Sequence, residues 1–167
     1  MNLRSQIDDF LSRRRLAMVG VSRNPKDFSR VLLRELRARG YDIAPVNPQA
    51  TEVEGLPCFA HVQDITPPPE GALLMTAAAV TGGVVRDCAA AGVPRIWMYR
   101  AGGKGAVHPE AVDFCRAQGI DVIAGECPFM FLPGAAWPHR LHGVLRKITG
   151  TYPRADETTG AAPPQDR

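Results

Sequence analysis

Hydroxyl-bearing and cationic side chains are concentrated in one short stretch near the start of the chain. This stretch supplies two hydroxyls and three cations, on Ser22, Arg23, Lys26, Ser29 and Arg30. Hydroxyls donate hydrogen bonds to phosphate oxygens, and an arginine guanidinium can donate two parallel hydrogen bonds to the same phosphate. The composition of the stretch therefore favours a ligand that carries several phosphates.

These side chains lie between a predicted strand and a predicted helix. Residues 16–19 are an apolar run, Gly20 breaks it, and residues 28–39 show helical spacing that ends at Gly40. A buried parallel strand that enters a helix through a tight loop has this pattern. In a doubly wound sheet the first such turn is where phosphates usually bind, because the helix N-terminus offers N–H groups and a positive dipole end. A strand-to-helix turn without a ligand has the same backbone pattern, and the basic side chains favour the ligand-binding interpretation.

The rest of the chain alternates between strand and helix patterns. Further strands are predicted at residues 41–46, 72–76, 96–99 and 120–124, and further helices at residues 3–13, 80–91 and 109–118. The glycine-rich residues 101–105 indicate a mobile loop. We expect Val31, Leu32, Leu33 and Leu36 of the first long helix to face the core. The alternation predicts an α/β fold, namely a Rossmann-like doubly wound five-stranded parallel sheet with helices on both faces.

The length of 167 residues fits one main domain with short flanking segments. We expect an N-terminal helix within residues 1–15, a Rossmann-like domain over residues 16–150 and a disordered tail over residues 151–167. A C-terminal helix is predicted inside the domain from the spacing of Leu141, Val144, Leu145 and Ile148. The tail is too poor in apolar residues to bury a core of its own.

Composition excludes several classes of function. The net charge of +3 comes without a dense basic face, so we expect no nucleic-acid partner. The longest uncharged stretch, residues 71–85, is too short to span a bilayer. The start of the chain has no apolar segment typical of a secretory signal, and the four cysteines form no CxxC pair. We therefore expect a cytoplasmic protein with reduced thiols and no membrane contact.

The dinucleotide-binding fingerprint is poorly matched. Gly20 fits its first glycine, but Ser22 and Pro25 stand at the second and third glycine positions. The second strand ends in Asn47 rather than in the acid that binds ribose hydroxyls, although Asp42 lies at its start. An NAD(P)-linked oxidoreductase or redox sensor is therefore disfavoured and stays an alternative.

An ordered set of short motifs resembles a known family. The motifs are Gly-Val-Ser-Arg-Asn-Pro-Lys at 20–26, Pro-Val-Asn-Pro at 45–48 and Glu-Gly-Leu-Pro-Cys-Phe at 54–59. Together they resemble the stand-alone coenzyme A-binding proteins of Rossmann type, over roughly residues 10–150. More distantly, Gly-Glu-Cys-Pro at 125–128 and Leu-Pro-Gly at 132–134 resemble the end of the CoA-binding domain of succinyl-CoA synthetase α subunits.

The resemblance implies a role in CoA binding for each matching position. The diphosphate and ribose phosphate would be held by Gly20, Val21, Ser22 and Arg23, with Lys26. Asn47 and Pro48 would border the adenosine end. The pantetheine would be lined by Met75, Thr76, Tyr99 and Arg100, and Cys127 would approach the thiol end. This sequence differs from the family at two places in the middle of the implied CoA site. The family has Phe-Arg near Ala77 and a Gln near Tyr99.

No catalytic set is predicted from the residues. We expect a protein that binds CoA or acyl-CoA without evident catalytic machinery. Another alternative is a subunit that presents CoA to an acyl-CoA ligase-like partner, and a homodimer is also open. His139, His142 and Cys127 lack the spacing of a metal site, so no metal is expected. Cys127 is either an activated thiol or a buried, inert one.

Overall fold

The structure is a computed structural model that describes residues 2–101 and 104–132. Over these residues the chain forms nine strands and four α-helices. In chain order the strands are β1 (Arg15–Val19), β2 (Asp42–Val46), β3 (Glu52–Val53), β4 (Leu56–Pro57), β5 (Gly71–Leu74), β6 (Arg95–Met98), β7 (Arg100–Ala101), β8 (Lys104–Gly105) and β9 (Asp121–Ala124). The helices are α1 (Leu3–Ser12), α2 (Phe28–Ala38), α3 (Ala78–Ala90) and α4 (Pro109–Ala117).

Five of the strands form one parallel sheet in the order β2-β1-β5-β6-β9. The chain therefore leaves β1 towards one side to reach β2, and later returns to the other side of β1 to form β5. This reversal makes a switch point at the carboxyl ends of β1 and β5, where open α/β sheets bind ligands. The predicted fold class is confirmed, and each strand boundary agrees with the prediction to within about two residues.

Helices cover both faces of the sheet. One face carries Leu16, Met18, Leu73 and Trp97 and packs against α1 and α2. The other face carries the alternate residues of the same strands, including Ala17, Ala72, Leu74 and Ile96, and packs against α3 and α4. Side chains on a strand alternate between faces, so the continuous apolar runs of these strands fill both layers.

The prediction that Val31 faces the core is wrong. Leu32, Leu33 and Leu36 are buried, whereas Val31 is 41% exposed. An α-helix turns by 100° per residue, which places Val31 about 140° around the axis from Leu36 and on the solvent side. The helix begins at Phe28, and Asp27 is its N-cap and accepts a hydrogen bond from the Ser29 amide.

Besides the main sheet, the described residues form two small antiparallel hairpins, β3–β4 and β7–β8. The turn at Glu54 and Gly55 joins β3 to β4. The predicted loop at residues 101–105 instead contains paired backbone, because Arg100 pairs with Gly105 and Ala101 with Lys104. This pairing is not predictable from the glycine content, which indicates conformational freedom and not hydrogen-bond partners.

Several sequence-based predictions lie outside the described residues. They are the C-terminal helix with Leu141, the tail at residues 151–167, and the pair His139 and His142. Within the described ranges, no helix combines the length and apolar character needed to cross a bilayer.

Candidate functional site

The switch point is closely packed around Gly20. The Gly20 amide donates to the carbonyl of Val46 at 2.9 Å, and the Met75 amide donates to the carbonyl of Val19 at 2.8 Å. Gly20 has φ +85°, and a Cβ there would lie 2.9 Å from Cγ2 of Thr76. These contacts bring the ends of β1, β2 and β5 together, so that the segments after the three strands form one site.

A cavity of about 400 Å³ opens at this edge of the sheet. Four of the predicted site residues line it, namely Gly20, Asn47, Pro48 and Thr76. The helix α3 contributes Val80, Gly83 and Asp87 to the opposite wall. A mostly apolar cavity with a few polar groups at its rim is the usual form of a small-molecule site.

The turn after β1 is braced from within by Ser29. The Ser22 amide donates to Ser29 Oγ at 2.9 Å, and Ser29 Oγ donates to Asp27 Oδ1 at 2.6 Å. Ser29 is 2% exposed. A hydroxyl with both partners inside the protein supports the loop conformation, and this geometry favours a bracing role over direct contact with a phosphate.

The N-terminus of α2 already holds a carboxylate. Asp27 Oδ1 accepts from the Ser29 amide at 2.8 Å and so occupies the positive end of the helix dipole. The side chains of Arg23 and Lys26 are exposed beside it. Any phosphate at this turn would therefore depend more on these two cations than on the helix dipole.

Asn47 joins the two loops that border the cavity. Its Nδ2 donates to the carbonyl of Val21 at 2.8 Å, and its Oδ1 accepts from the Gln49 amide at 2.8 Å. Val21 is fully buried, and its carbonyl is occupied by this bond to Asn47. Pro48 is exposed at the rim. The structure therefore makes Asn47 a link between the turn after β1 and the loop after β2.

A second group of predicted residues lies on the other face of the sheet. Tyr99 stacks on Phe28 with ring centroids 5.2 Å apart, and Phe28 packs against Phe129 at 5.5 Å. Met75 and Cys127 belong to the same apolar cluster. Burial and, to a smaller extent, the nearby Cys127 and Asp27 together raise the pKa of Tyr99 to about 12. Of the predicted pantetheine and thiol positions, Met75, Tyr99 and Cys127 therefore share one apolar cluster, whereas Thr76 lines the cavity on the other face and Arg100 is exposed.

Cys127 is not an activated thiol in this structure. Burial raises its pKa above the ordinary value of 9.0, and the nearby Glu126 raises it as well. Amide groups of Phe129 and Met130 donate to the sulfur and favour the thiolate, but they do not outweigh burial. Arg100 is exposed, and its guanidinium lies beside Gly125. The inert interpretation of the thiol is therefore favoured.

Sequence reasoning missed the role of Glu54. Its carboxylate joins Arg30 and Arg34 of α2, with Oε1 at 2.8 Å from Arg30 Nε and 2.7 Å from Arg34 Nη1. Two arginines one helical turn apart on α2 are a signal that an anion is near. The sequence does not reveal that the tip of the β3–β4 hairpin supplies it.

Comparison with known proteins decides the family. The sequence pattern described as the CoA binding domain matches residues 14–133, which is most of the chain. The chain belongs to the CoA-binding domain family. Membership of this family supports a Rossmann-type, CoA-binding role for the chain.

Among residues 2–101 and 104–132, no three His, Cys, Asp or Glu side chains lie close enough together to bind a metal ion.

Two relatives are similar to this chain, one in sequence and one in both sequence and fold. An uncharacterised Bacillus subtilis protein, YneT, is 26% identical over 125 residues, which are 74% of this chain and 90% of that protein. A hypothetical protein from Pyrococcus horikoshii OT3 has a TM-score of 0.69 at 26% identity, covering 74% of this chain and 85% of its own.

One solved neighbour is a much larger enzyme. The dinucleotide forming acetyl-coenzyme A synthetase 1 of Ca. Korarchaeum cryptofilum, solved with phosphate and ADP, has a TM-score of 0.59 at 28% identity. The match covers 66% of this chain and 25% of the synthetase chain. The CoA-binding domain fold therefore occurs both alone and as one part of a synthetase.

Proposed function

We propose that this protein binds coenzyme A or an acyl-CoA at the carboxyl edge of β1, β2 and β5, without catalytic machinery of its own. The observation that carries the proposal is the combination of two exposed cations, Arg23 and Lys26, with the adjoining apolar cavity. CoA needs both features, because its phosphates are anionic and its adenine is flat and weakly polar. Family membership supports the same ligand.

The residues present fit the parts of CoA. Arg23 and Lys26 would bind the phosphates by charge-assisted hydrogen bonds, and this makes the turn after β1 a phosphate-binding loop. The cavity beside Asn47 and Pro48 would hold the adenosine end. Met75, Thr76, Tyr99 and Arg100 would line the pantetheine, and Cys127 would lie near its thiol.

The proposal of a binding protein without catalysis rests on the chemistry of the cluster around Cys127. A buried thiol with a raised pKa is mostly protonated at neutral pH and is a poor nucleophile. The phenol of Tyr99, with a pKa of about 12, stays protonated at neutral pH and is therefore not available as a general base. We place the binding domain at residues 16–150, with a flanking helix in residues 1–15 and a tail at 151–167, in the cytoplasm.

A second candidate is a protein that presents CoA to a separate catalytic partner. The likeness to one quarter of an acetyl-coenzyme A synthetase favours it, because the fold there is joined to further parts of the enzyme. Co-purification of a catalytic partner would distinguish this candidate from a free-standing CoA-binding protein. The molar mass of the purified protein in solution would show a homodimer.

A competition experiment tests the ligand. The purified protein is incubated with equal amounts of CoA, acetyl-CoA and NAD, passed through a desalting column, denatured and analysed by mass spectrometry. We expect CoA or acetyl-CoA in the released fraction. Release of NAD instead would support the oxidoreductase alternative, and release of none of the three would contradict the proposal.

A further inference from the structure

We propose that Arg30 and Glu54 act as positioning residues that set the conformation of the phosphate-facing turn, and that Arg30 does not itself contact the ligand. This inference rests on the proposed function, because it explains how the turn after β1 presents its donors. It assigns a role in the site to the tip of the β3–β4 hairpin, which lies outside the turn.

Arg30 reaches from α2 to the hairpin and to the turn at once. Its Nε and Nη2 each lie 2.8 Å from Oε1 of Glu54. Its Nη1 donates to the carbonyl oxygens of Ser22 at 3.1 Å and Arg23 at 3.4 Å. The side chains of Arg30 and Glu54 are only 12% and 18% exposed. The guanidinium is therefore committed to protein partners, with its charge balanced by a carboxylate.

These bonds fix which way the peptide groups of the turn point. In a trans peptide the carbonyl and the following amide point in opposite directions. Because Arg30 holds the carbonyl of Ser22, the amide of Arg23 points away from Arg30. The amides of Ser22 and Asn24 are used within the turn, since they donate to Ser29 Oγ at 2.9 Å and Ser22 Oγ at 3.1 Å. The Arg23 amide therefore points away from Arg30. The exposed guanidinium of Arg23 belongs to the same residue, so both groups can face a ligand at the turn.

Glu54 is itself held in place by α2. Its carboxylate also accepts from Arg34 Nη1 at 2.7 Å, and its carbonyl accepts from Arg37 Nη1 at 3.0 Å. Its backbone has φ +53°, a conformation that side-chain-bearing residues adopt rarely and that needs support from the surroundings. Three arginines on one helix provide that support and keep the carboxylate against Arg30.

Binding measurements on three variants separate positioning from simple electrostatics. Glu54→Gln removes a negative charge near the turn, so electrostatics alone predicts tighter binding of anionic CoA. Positioning predicts the opposite, a weakening of about fivefold to tenfold, from loss of a charge-assisted bond that holds the turn. Arg30→Lys keeps the positive charge but removes the planar guanidinium that bonds Glu54 and the turn at the same time. We therefore expect a similar weakening of CoA binding, with an unchanged salt dependence. Glu35→Gln removes a negative charge from the same helix, but Glu35 pairs with Arg39 and does not contact Arg30, so it is the matched control and should stay near wild type.

Amide hydrogen exchange gives a readout that needs no ligand. In Glu54→Gln and Arg30→Lys we expect the amides of Ser22 and Asn24 to exchange about tenfold faster, because local opening becomes easier. They should be unchanged in Glu35→Gln. Unchanged exchange in the first two variants, or wild-type CoA affinity in Arg30→Lys, would overturn the inference.

The two proposals fail differently. Tighter CoA binding by Glu54→Gln would overturn the positioning role and leave the CoA assignment standing. If wild-type protein does not bind CoA, the proposed function fails, and the exchange rates alone decide whether this pair orders the turn.

Discussion

Gly20 and Thr76 touch where β1 and β5 leave the sheet. A Cβ on Gly20 would lie 2.9 Å from Cγ2 of Thr76 and 3.0 Å from its backbone nitrogen. The glycine therefore serves the close approach of two chain segments as well as a left-handed backbone. Because Thr76 also lines the cavity, the same contact fixes the floor of the proposed ligand site.

The Gly20→Ala variant should be strongly destabilised. A left-handed alanine costs about 1–2 kcal/mol, and the clash with Thr76 adds a further cost of about 1–3 kcal/mol. Gly40→Ala is the matched control, since Gly40 has φ +81° but nothing within 4 Å of the new Cβ. Urea denaturation measures both. Equal losses of unfolding free energy in the two variants would show that the contact with Thr76 carries no steric cost.

The Gly83→Ala variant should gain stability and lose ligand affinity. Gly83 lies inside α3 with nothing within 4 Å of an added Cβ, so alanine should stabilise the helix by about 1 kcal/mol. Gly83 also lines the cavity, and a methyl group there would take space from the ligand. Gly82→Ala, whose Cβ meets only Arg86, should give the stability gain alone. Melting temperature and CoA titration check this, and unchanged affinity in Gly83→Ala would place the ligand elsewhere.

The fold was largely predictable because its signals are local. The apolar runs, the glycines that end helices and the alternation of strand and helix patterns are all properties of short segments. Val31 was predicted to face the core because it is apolar and adjoins buried leucines in the sequence. Residue type alone does not show whether such a side chain points to the core or to solvent. The β7–β8 pairing was missed because it depends on hydrogen bonds between residues that have no periodic pattern.

The placement of several candidate residues at the strand ends was predictable, and the contacts that each of them makes were less so. Strand ends locate Gly20, Asn47 and Thr76, since parallel strands end at a common edge. Side-chain type alone does not show that Ser29 braces the turn or that Glu54 neutralises Arg30, because those roles arise from contacts across the fold. Chemistry at a site depends on the partners of each group as much as on the group itself.

Acid should weaken the contact between α1 and the sheet. Asp9 on α1 accepts hydrogen bonds from Arg95 at the start of β6 and from Arg13. Burial raises the pKa of Asp9, but these arginines outweigh it and hold the pKa below the ordinary 3.8. A lowered folded-state pKa gives stability that is present above the unfolded pKa and lost as the pH falls below about 4.

The Asp9→Asn variant tests that linkage. At pH 7 it should lose about 1–2 kcal/mol of unfolding free energy, a value reduced for partial exposure. Its stability should then fall less than that of wild type between pH 5 and pH 3, as measured by denaturation at each pH. Asp8→Asn is the control, because Asp8 is 55% exposed and pairs only with Arg4 among the described ion pairs. A parallel pH dependence in Asp9→Asn and wild type would contradict the assignment.

Cys127 should react slowly with iodoacetamide at neutral pH. The thiolate is the nucleophile, and burial keeps the thiol protonated to a higher pH than an ordinary cysteine. The alkylation rate, followed by peptide mass mapping, should stay low at pH 7 and rise only above about pH 9. Rapid labelling of Cys127 at pH 7 would show an activated thiol and reopen the catalytic interpretation.

Calorimetric titration with CoA, dephospho-CoA and NAD tests the central claim most directly. CoA carries a ribose phosphate that the other two lack, so we expect CoA to bind more tightly than dephospho-CoA and much more tightly than NAD. Affinity should fall as salt rises. Arg23→Ala should weaken CoA binding by about 1.5–3 kcal/mol, while Arg116→Ala, an exposed and distant arginine, should not. Equal binding of NAD and CoA, or an unchanged CoA affinity in Arg23→Ala, would contradict the account.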